Sequence, residues 1–326
     1  MIRRLAPARV VNGINQAIEI PVTGRRTRGP SDRPDGTNYN ASVLIPTVRA
    51  LAVVVAAVLA GAPLAQTGAS RVALASITDP RNRPLVDVSA DDFVIQEAGA
   101  SREILSVRPA DYPIVVLLDT GTEARADFPR MQQAAAHFIE RIGQRPIALG
   151  TFGNIPRMLT TFDDDRQTVL ARLAEISADS NTGSLLLQGA ALAGETIRAT
   201  GTLFSAIVIL SATPSDASRN PADEMIAPVV DSNAILHVVA NRPSQTAGSS
   251  LRSNPALRAV AEQSRGEFTV IYSAASYQAA LDRLADRLTS EMMIEYLVPV
   301  GSKPADVKVG VRIVGARVRG LGVAPR

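Results

Sequence analysis

A carboxylate stands directly after an apolar run at Leu118-Asp119-Thr120-Gly121-Thr122-Glu123. Open α/β sheets bind ligands outside the carboxyl ends of their strands. Asp119 is therefore placed to hold a hard cation, to move a proton, or simply to cap the loop into the next helix. Much other chemistry is excluded. The chain has no Cys, hence no disulfide, thiolate zinc site or Cys nucleophile. Its two histidines, His137 beside Phe138 and His237 inside an apolar run, read as satisfied packing partners rather than as ligands or bases. No Gly-rich phosphate loop carries a Lys, since Lys303 and Lys308 are the only lysines, and no Gly-x-Ser-x-Gly elbow occurs. A phosphoryl-transfer pair of aspartates would need a second Asp where Gly121 stands. The acid run Asp163-Asp164-Asp165 reads as the N-terminal end of a helix, where the dipole favours negative charge.

The elements that must position Asp119 follow from the spacing of apolar residues. Residues 114–118 form a continuous apolar run, as a strand covered on both faces requires. Residues 129–142 put Met131, Ala135, Phe138 and Ile142 on one helical stripe. Strands at 147–152, 206–210, 235–240 and 268–272 alternate with helices at 166–176, 185–199, 223–230, 255–264 and 277–292. Gly266 is read as the C-terminal cap of the fourth of these helices. Such alternation predicts a doubly wound, mostly parallel, Rossmann-like sheet with helices on both faces, spanning 111–293. Short runs at 72–77, 93–95 and 104–107, bounded by turn residues, predict strands in an N-terminal β segment, 71–110. Residues 294–300 and the strictly alternating 307–314 predict a C-terminal β segment, 294–326. The two flanks are expected to pack together as a small β-module.

The order of these elements and the strand-to-Asp119 transition resemble the von Willebrand factor A domain, in the bacterial variety flanked by short β segments. The resemblance takes in the Asp79-Pro80 turn, Asp92-Phe93-Val94-Ile95 followed by Glu97, and Tyr296-Leu297-Val298. That family implies a divalent cation in a metal-ion-dependent adhesion site, formed by an Asp-x-Ser-x-Ser loop, a Thr from a second loop and an Asp after the fourth strand. Matched to that pattern, Asp119 keeps the leading Asp, Gly121 stands at the first Ser, and Glu123 replaces the second. Ser184 stands in for the Thr, and Ala212 replaces the later Asp, with Asp216 four residues on. Asp119, Glu123 and Ser184 are the remaining oxygen donors. With two of five side-chain ligands gone, the expectation is a degenerate site, no required cofactor, and Asp119 acting as a loop cap in place of a Mg²⁺ ligand. Asp119-Thr120-Gly121 also resembles the active-site turn of aspartic proteases. That chemistry needs two such turns sharing a proton, so this single copy would have to work as a homodimer.

The charge distribution bears on partners. The net charge is +3, but residues 1–50 hold eight Arg against three acids, so the surplus sits in the leader and not on the folded body. Nucleic acid is therefore not an expected partner. Aromatic residues make up only 4% and Trp is absent, which disfavours stacking platforms for bases or sugars. Residues 1–42 are read as a disordered or mis-assigned leader. Residues 43–65, with Arg49 and the apolar run 50–64, read as a secretory signal, the run being shorter than the about 18 residues a bilayer demands. An uncleaved anchor is the alternative. The sequence thus describes an extracytoplasmic, periplasmic or secreted protein-binding module without catalysis. Its membrane contact would come only through the signal or anchor. A dimeric aspartic protease and a structural envelope protein are the rival readings.

Overall fold

The computed structural model describes residues 18–20, 68–85, 87–178, 181–219, 221–242 and 255–325. The signal-like segment 43–65 lies outside them. Within 1–42, read as unstructured, the backbone of strand β1 (Ile18–Ile20) pairs antiparallel with β13 (Val307–Val311).

Asp119 is set by a six-stranded sheet. In spatial order the strands are β8 (Arg157–Met158), β7 (Ile147–Phe152), β6 (Ile114–Asp119), β9 (Ala206–Ser211), β10 (Ile235–Asn241) and β11 (Glu267–Ile271). All pairings are parallel except that of the edge strand β8. The continuous apolar text of β6 has its cause in this position. Ile114, Val116 and Leu118 pack on one face with α1 (Phe128–Arg141), α2 (Arg166–Ala174) and α6 (Ser276–Thr289). Val115 and Leu117 pack on the other face with α3 (Leu186–Thr200), α4 (Ala222–Asp231) and α5 (Pro255–Gln263). The α6 stripe of Tyr277, Leu281, Leu284 and Leu288 is fully buried, each Leu contributing about 1.5–3 kcal/mol on removal from water. Asp165 caps α2, accepting from the backbone N–H of Thr168 at 2.7 Å.

Both flanks form antiparallel sheets, and there are two of them where the sequence predicts one small module. One runs β14 (Arg317–Pro325), β2 (Gly68–Thr78), β12 (Glu291–Pro299), β5 (Ile104–Pro109). The other runs β1, β13, β3 (Phe93–Glu97), β4 (Ala100–Arg102). Alternation along β2 explains how they attach. Ala73, Ala75 and Ile77 face the second sheet and join Phe93, Ile95, Ile294 and Val309. Val72 and Leu74 face the opposite way, into the core beside α1 and α6. The first sheet thus packs by one face on the second sheet and by the other on the α/β body.

Four departures from the sequence reading have physical causes. The last helix stops at Thr289, not Met292. There the Thr289 and Ser290 hydroxyls bond back to the carbonyls of Ala285 and Arg287, at 2.9 and 2.6 Å, and Glu291 and Met292 pair with Ser76 and Ala75. Strand β14 was not foreseen, its Arg317-Val318-Arg319-Gly320-Leu321-Gly322 being too charged and Gly-rich to read as a strand. Gly266 is not the left-handed cap of α5; Arg265 is, at φ 66°. Gly266 is required because a Cβ there would lie 1.8 Å from the Leu236 carbonyl oxygen. His237 is buried, but its two ring nitrogens have no hydrogen-bond partner among the described residues, and burial pushes its pKa down to about 3.

A buried polar knot joins body and sandwich where α6 gives way to β12. Tyr112 donates to the Glu291 carboxyl, and the Arg145 guanidinium lies 4.3 Å over the Tyr112 ring. Arg145 also donates to the Leu288 carbonyl at 2.6 Å and stands 3.5 Å from Glu291. Desolvation raises the Glu291 pKa above its ordinary 4.5, against the pull of Arg145. A carboxyl raised on folding contributes stability that is complete below its unfolded pKa and is lost as pH rises through the folded one. Glu291→Gln is therefore expected to lose most, relative to the parent, in acid below pH 4.5, and the gap should narrow as pH rises. Chemical denaturation of both chains across that window is the check, and a gap that widens with pH would contradict it.

Candidate functional site

The point where the sheet reverses its winding lies between β6 and β9. From β6 the chain turns outward to β7 through α1, and β9 begins the opposite half after α3. Loops diverge there, leaving a crevice at the strand ends. The register places Leu118 beside Leu210, so Asp119 emerges next to Ser211.

Asp119 is fully buried. Its Oδ1 accepts from the Gly121 N–H at 2.8 Å and from the Ser184 hydroxyl. Its Oδ2 accepts from the Ala212 N–H at 2.9 Å, while the Ser211 hydroxyl, 3.1 Å away, shares its one hydrogen with the nearer Thr213 carbonyl at 2.6 Å. Desolvation raises the Asp119 pKa, and the hydrogen bonds from Ser184, Gly121, Ala212 and Ser211 oppose the rise. Tyr277 buttresses the cluster from α6, donating to the Ser211 carbonyl at 2.6 Å, and burial together with the nearby Asp119 charge raises its phenol well above the usual range.

The structure thus brings together Asp119, Gly121, Ser184 and Ala212. It adds Ser211, the last residue of β9, which the parallel register of β6 and β9 brings beside Asp119 and no motif in the sequence singles out. Two residues stay apart. Glu123 is exposed on the turn after Gly121. Asp216 does not swing back; it accepts from the Leu187 N–H at 3.1 Å and so caps α3, with Ser218 donating to the same oxygen at 2.8 Å.

Gly121 has a steric cause. Its φ of −68° and ψ of 175° suit any residue, yet a Cβ there would lie 2.1 Å from the Ser184 Oγ. The Ser184 hydroxyl occupies the space that a side chain at 121 would need. Other bonds clamp the same loops. Thr122 N–H donates to the Thr182 carbonyl at 3.0 Å, Ala217 N–H to the Ser184 carbonyl at 2.9 Å, and Leu185 N–H to the Gly153 carbonyl at 3.2 Å.

A five-stranded parallel run with an antiparallel edge strand, wound both ways from a first strand that ends in a buried Asp, settles the architecture. The fold is von Willebrand factor A-like. That architecture implies a divalent cation at this point, and the residues here do not fit one. Mg²⁺ takes about six oxygens at about 2.1 Å. Gly121 and Ala212 carry no side-chain oxygen, and the Gly121 and Ala212 N–H groups and the Ser184 hydroxyl already donate to the two oxygens of Asp119.

No family model matches the chain, and no curated protein does. Solved structures similar to it include proximal thread matrix protein 1 from the mussel byssus, with a zinc-occupied MIDAS motif. It is 10% identical, with a TM-score of 0.48 over 61% of this chain and 48% of that one. A von Willebrand factor type A protein from Catenulispora acidiphila is 12% identical, with a TM-score of 0.45 over 80% and 74%. An aerotolerance-related membrane protein from Bacteroides fragilis is 16% identical, with a TM-score of 0.40 over 54% and 98%. The chain spans about half the length of the mussel protein.

Proposed function

We propose that this chain is a non-catalytic protein-binding module that docks its partner on the loops around Asp119 without a bridging cation. The observation that carries this reading is that protein donors engage both oxygens of Asp119: the Gly121 N–H and Ser184 hydroxyl on one, the Ala212 N–H and the shared Ser211 hydroxyl on the other. A buried carboxylate held in this way serves as the tie between three loops, which supports a rim that is rigid without a metal. The rim's outward side chains, among them Thr122 and Glu123, are exposed. Beside them a polar cleft of about 370 Å³ is lined by Thr120, Thr151, Arg157, Arg172 and Glu175, which supplies both charges for polar recognition. The dimeric protease reading suffers from the same burial, because Asp119 would have to reach a substrate. A structural envelope role through the β-sandwich is the second reading, favoured by the two sheets that the flanks build. Placement outside the cytoplasm rests on the apolar run at 50–64 and is tested by N-terminal sequencing of exported protein.

Two results are expected. Mg²⁺ or Mn²⁺ leaves the melting temperature unchanged, where a site occupied at a hundred times its Kd would add about 2.7 kcal/mol. A partner recovered from envelope extract is retained equally in chelator and in Mg²⁺, and is lost on Glu123→Arg with Arg157→Glu. Cation-dependent capture would overturn the metal-free reading. Capture indifferent to both loop changes would point to the sandwich.

A further inference from the structure

At the opposite end of the sheet, below the amino ends of β9 and β10, lies a cavity of about 400 Å³, within the range of small-molecule sites. Its walls are mostly apolar, with Phe204, Val260, Leu321 and Val323 inside, and with Leu203 (41% exposed) and Val230 (52% exposed) at the rim. Strand β14 shapes it. The register with β2 slips between Gly320 and Gly322, so Leu321 leaves the ladder and turns into the core. Such bulges re-aim side chains beside binding sites. Gly322 lets the strand pass close to Phe204, for a Cβ there would lie 3.2 Å from the ring.

One charged group stands in this lining, beside the uncharged Thr202, Asn233, Gln263 and Ser264. Arg265 is partly buried at the cavity wall and takes part in no ion pair among the described residues. Its guanidinium makes one hydrogen bond, 2.9 Å to the Gly320 carbonyl. Its surroundings add positive charge. Arg287 donates to the Arg265 carbonyl at 2.5 Å, and Arg319 reaches the same oxygen at 3.4 Å. Glu267, paired with Arg287, and the buried Glu291 offset part of the charge of the three guanidinium groups. Desolvation and the nearby Arg319 both lower the Arg265 pKa, the direction expected of a cation lacking an anion. The backbone bears a cost as well, since Arg265 sits at φ 66°, a region costly to residues other than Gly.

We infer that this cavity binds an amphiphilic monocarboxylate, its carboxylate on Arg265 and its unbranched apolar tail along Phe204, Val230, Val260 and Leu321. The head group follows from the unpaired guanidinium, which accepts a carboxylate through two parallel hydrogen bonds. The tail follows from the lining. The site lies at the far end of the sheet from the Asp119 loops, so it stands or falls independently of the docking surface proposed above.

Calorimetry on the full chain with decanoate, decanol and decyltrimethylammonium, each below its micelle concentration, tests the assignment. Decanoate is expected to bind at least about tenfold more tightly than decanol, and the cation not at all. Arg265→Gly suits the left-handed backbone, so the fold should survive. It should weaken decanoate by about tenfold to a hundredfold, to the level of decanol. Arg265→Lys should keep part of the affinity, and Val230→Trp, which fills the mouth from an exposed position, should weaken both ligands. No binding of decanoate, equal binding of decanoate and decanol, or an Arg265→Gly chain that folds and binds decanoate as the parent does would each overturn it.

Discussion

Replacing Asp119 by Ala is expected to cost about 3–5 kcal/mol of stability in buffer containing chelator, and to lower the melting temperature by about 10 °C. The substitution leaves three donors facing an empty pocket, the N–H groups of Gly121 and Ala212 and the hydroxyl of Ser184, while the Ser211 hydroxyl keeps the Thr213 carbonyl. Each backbone N–H left unsatisfied costs about 1–3 kcal/mol, while the Ser184 hydroxyl recovers part of its loss by turning elsewhere. Asp119→Asn is nearly isosteric but should cost almost as much, because its amide group presents donors to donors. The direction of the effect separates two roles for this residue. In a cation site measured without its cation, removing a ligand carboxylate is neutral or stabilising, since it relieves an uncompensated buried charge. A hydrogen-bonded clamp loses stability at once. Melts of the three chains in chelator decide, and an Asp119→Ala chain as stable as the parent would show that the carboxylate is kept for something other than holding loops.

That clamp was only partly legible in the sequence. Strand β6 could be read because both its faces are buried, which forces an unbroken apolar run, and its Asp followed from the run's end. The helices α1 and α6 could be read because each buries one stripe. Strand β14 could not, because nothing local makes Arg317-Val318-Arg319-Gly320 extended; its pairing with β2 does. The same holds for Arg265. A left-handed cap next to a Gly reads as belonging to the Gly, and only the 1.8 Å approach of the Leu236 oxygen shows that Gly266 is spent on contact. At the site, the resemblance to an adhesion domain singled out Asp119, Gly121, Ser184 and Ala212, and these meet. It also singled out Glu123 and Asp216, which face solvent and α3. What residue type alone cannot tell is whether a Ser hydroxyl coordinates or donates, since it can do both. In this structure the Ser184 hydroxyl donates to Asp119.

Gly121→Ser follows from the space that the Ser184 hydroxyl occupies. It restores the side-chain oxygen that the adhesion-site pattern has at this position, and it is expected to destabilise the chain by about 2–3 kcal/mol. The backbone angles of Gly121 accept a Ser without strain, so the cost comes from collision alone. The new Cβ would meet the Ser184 Oγ at 2.1 Å and the Ser184 N at 3.0 Å. Turning the Ser184 hydroxyl away relieves the first contact and sacrifices its hydrogen bond to Asp119, while the second remains. Ser184 cannot retreat, because it is buried and its carbonyl is held by the Ala217 N–H at 2.9 Å. If the two positions compete for one space, Gly121→Ser combined with Ser184→Gly should be more stable than the sum of the single changes by about 1–2 kcal/mol, a double-mutant coupling readable by chemical denaturation. Mg²⁺ should rescue neither chain, since the Ala212 N–H still holds Oδ2 of Asp119 and the Ala212 side chain offers no ligand oxygen. Additive costs, or a Gly121→Ser chain restabilised by Mg²⁺, would mean that the Ser184 hydroxyl yields its place readily and that the loops can still open around a cation.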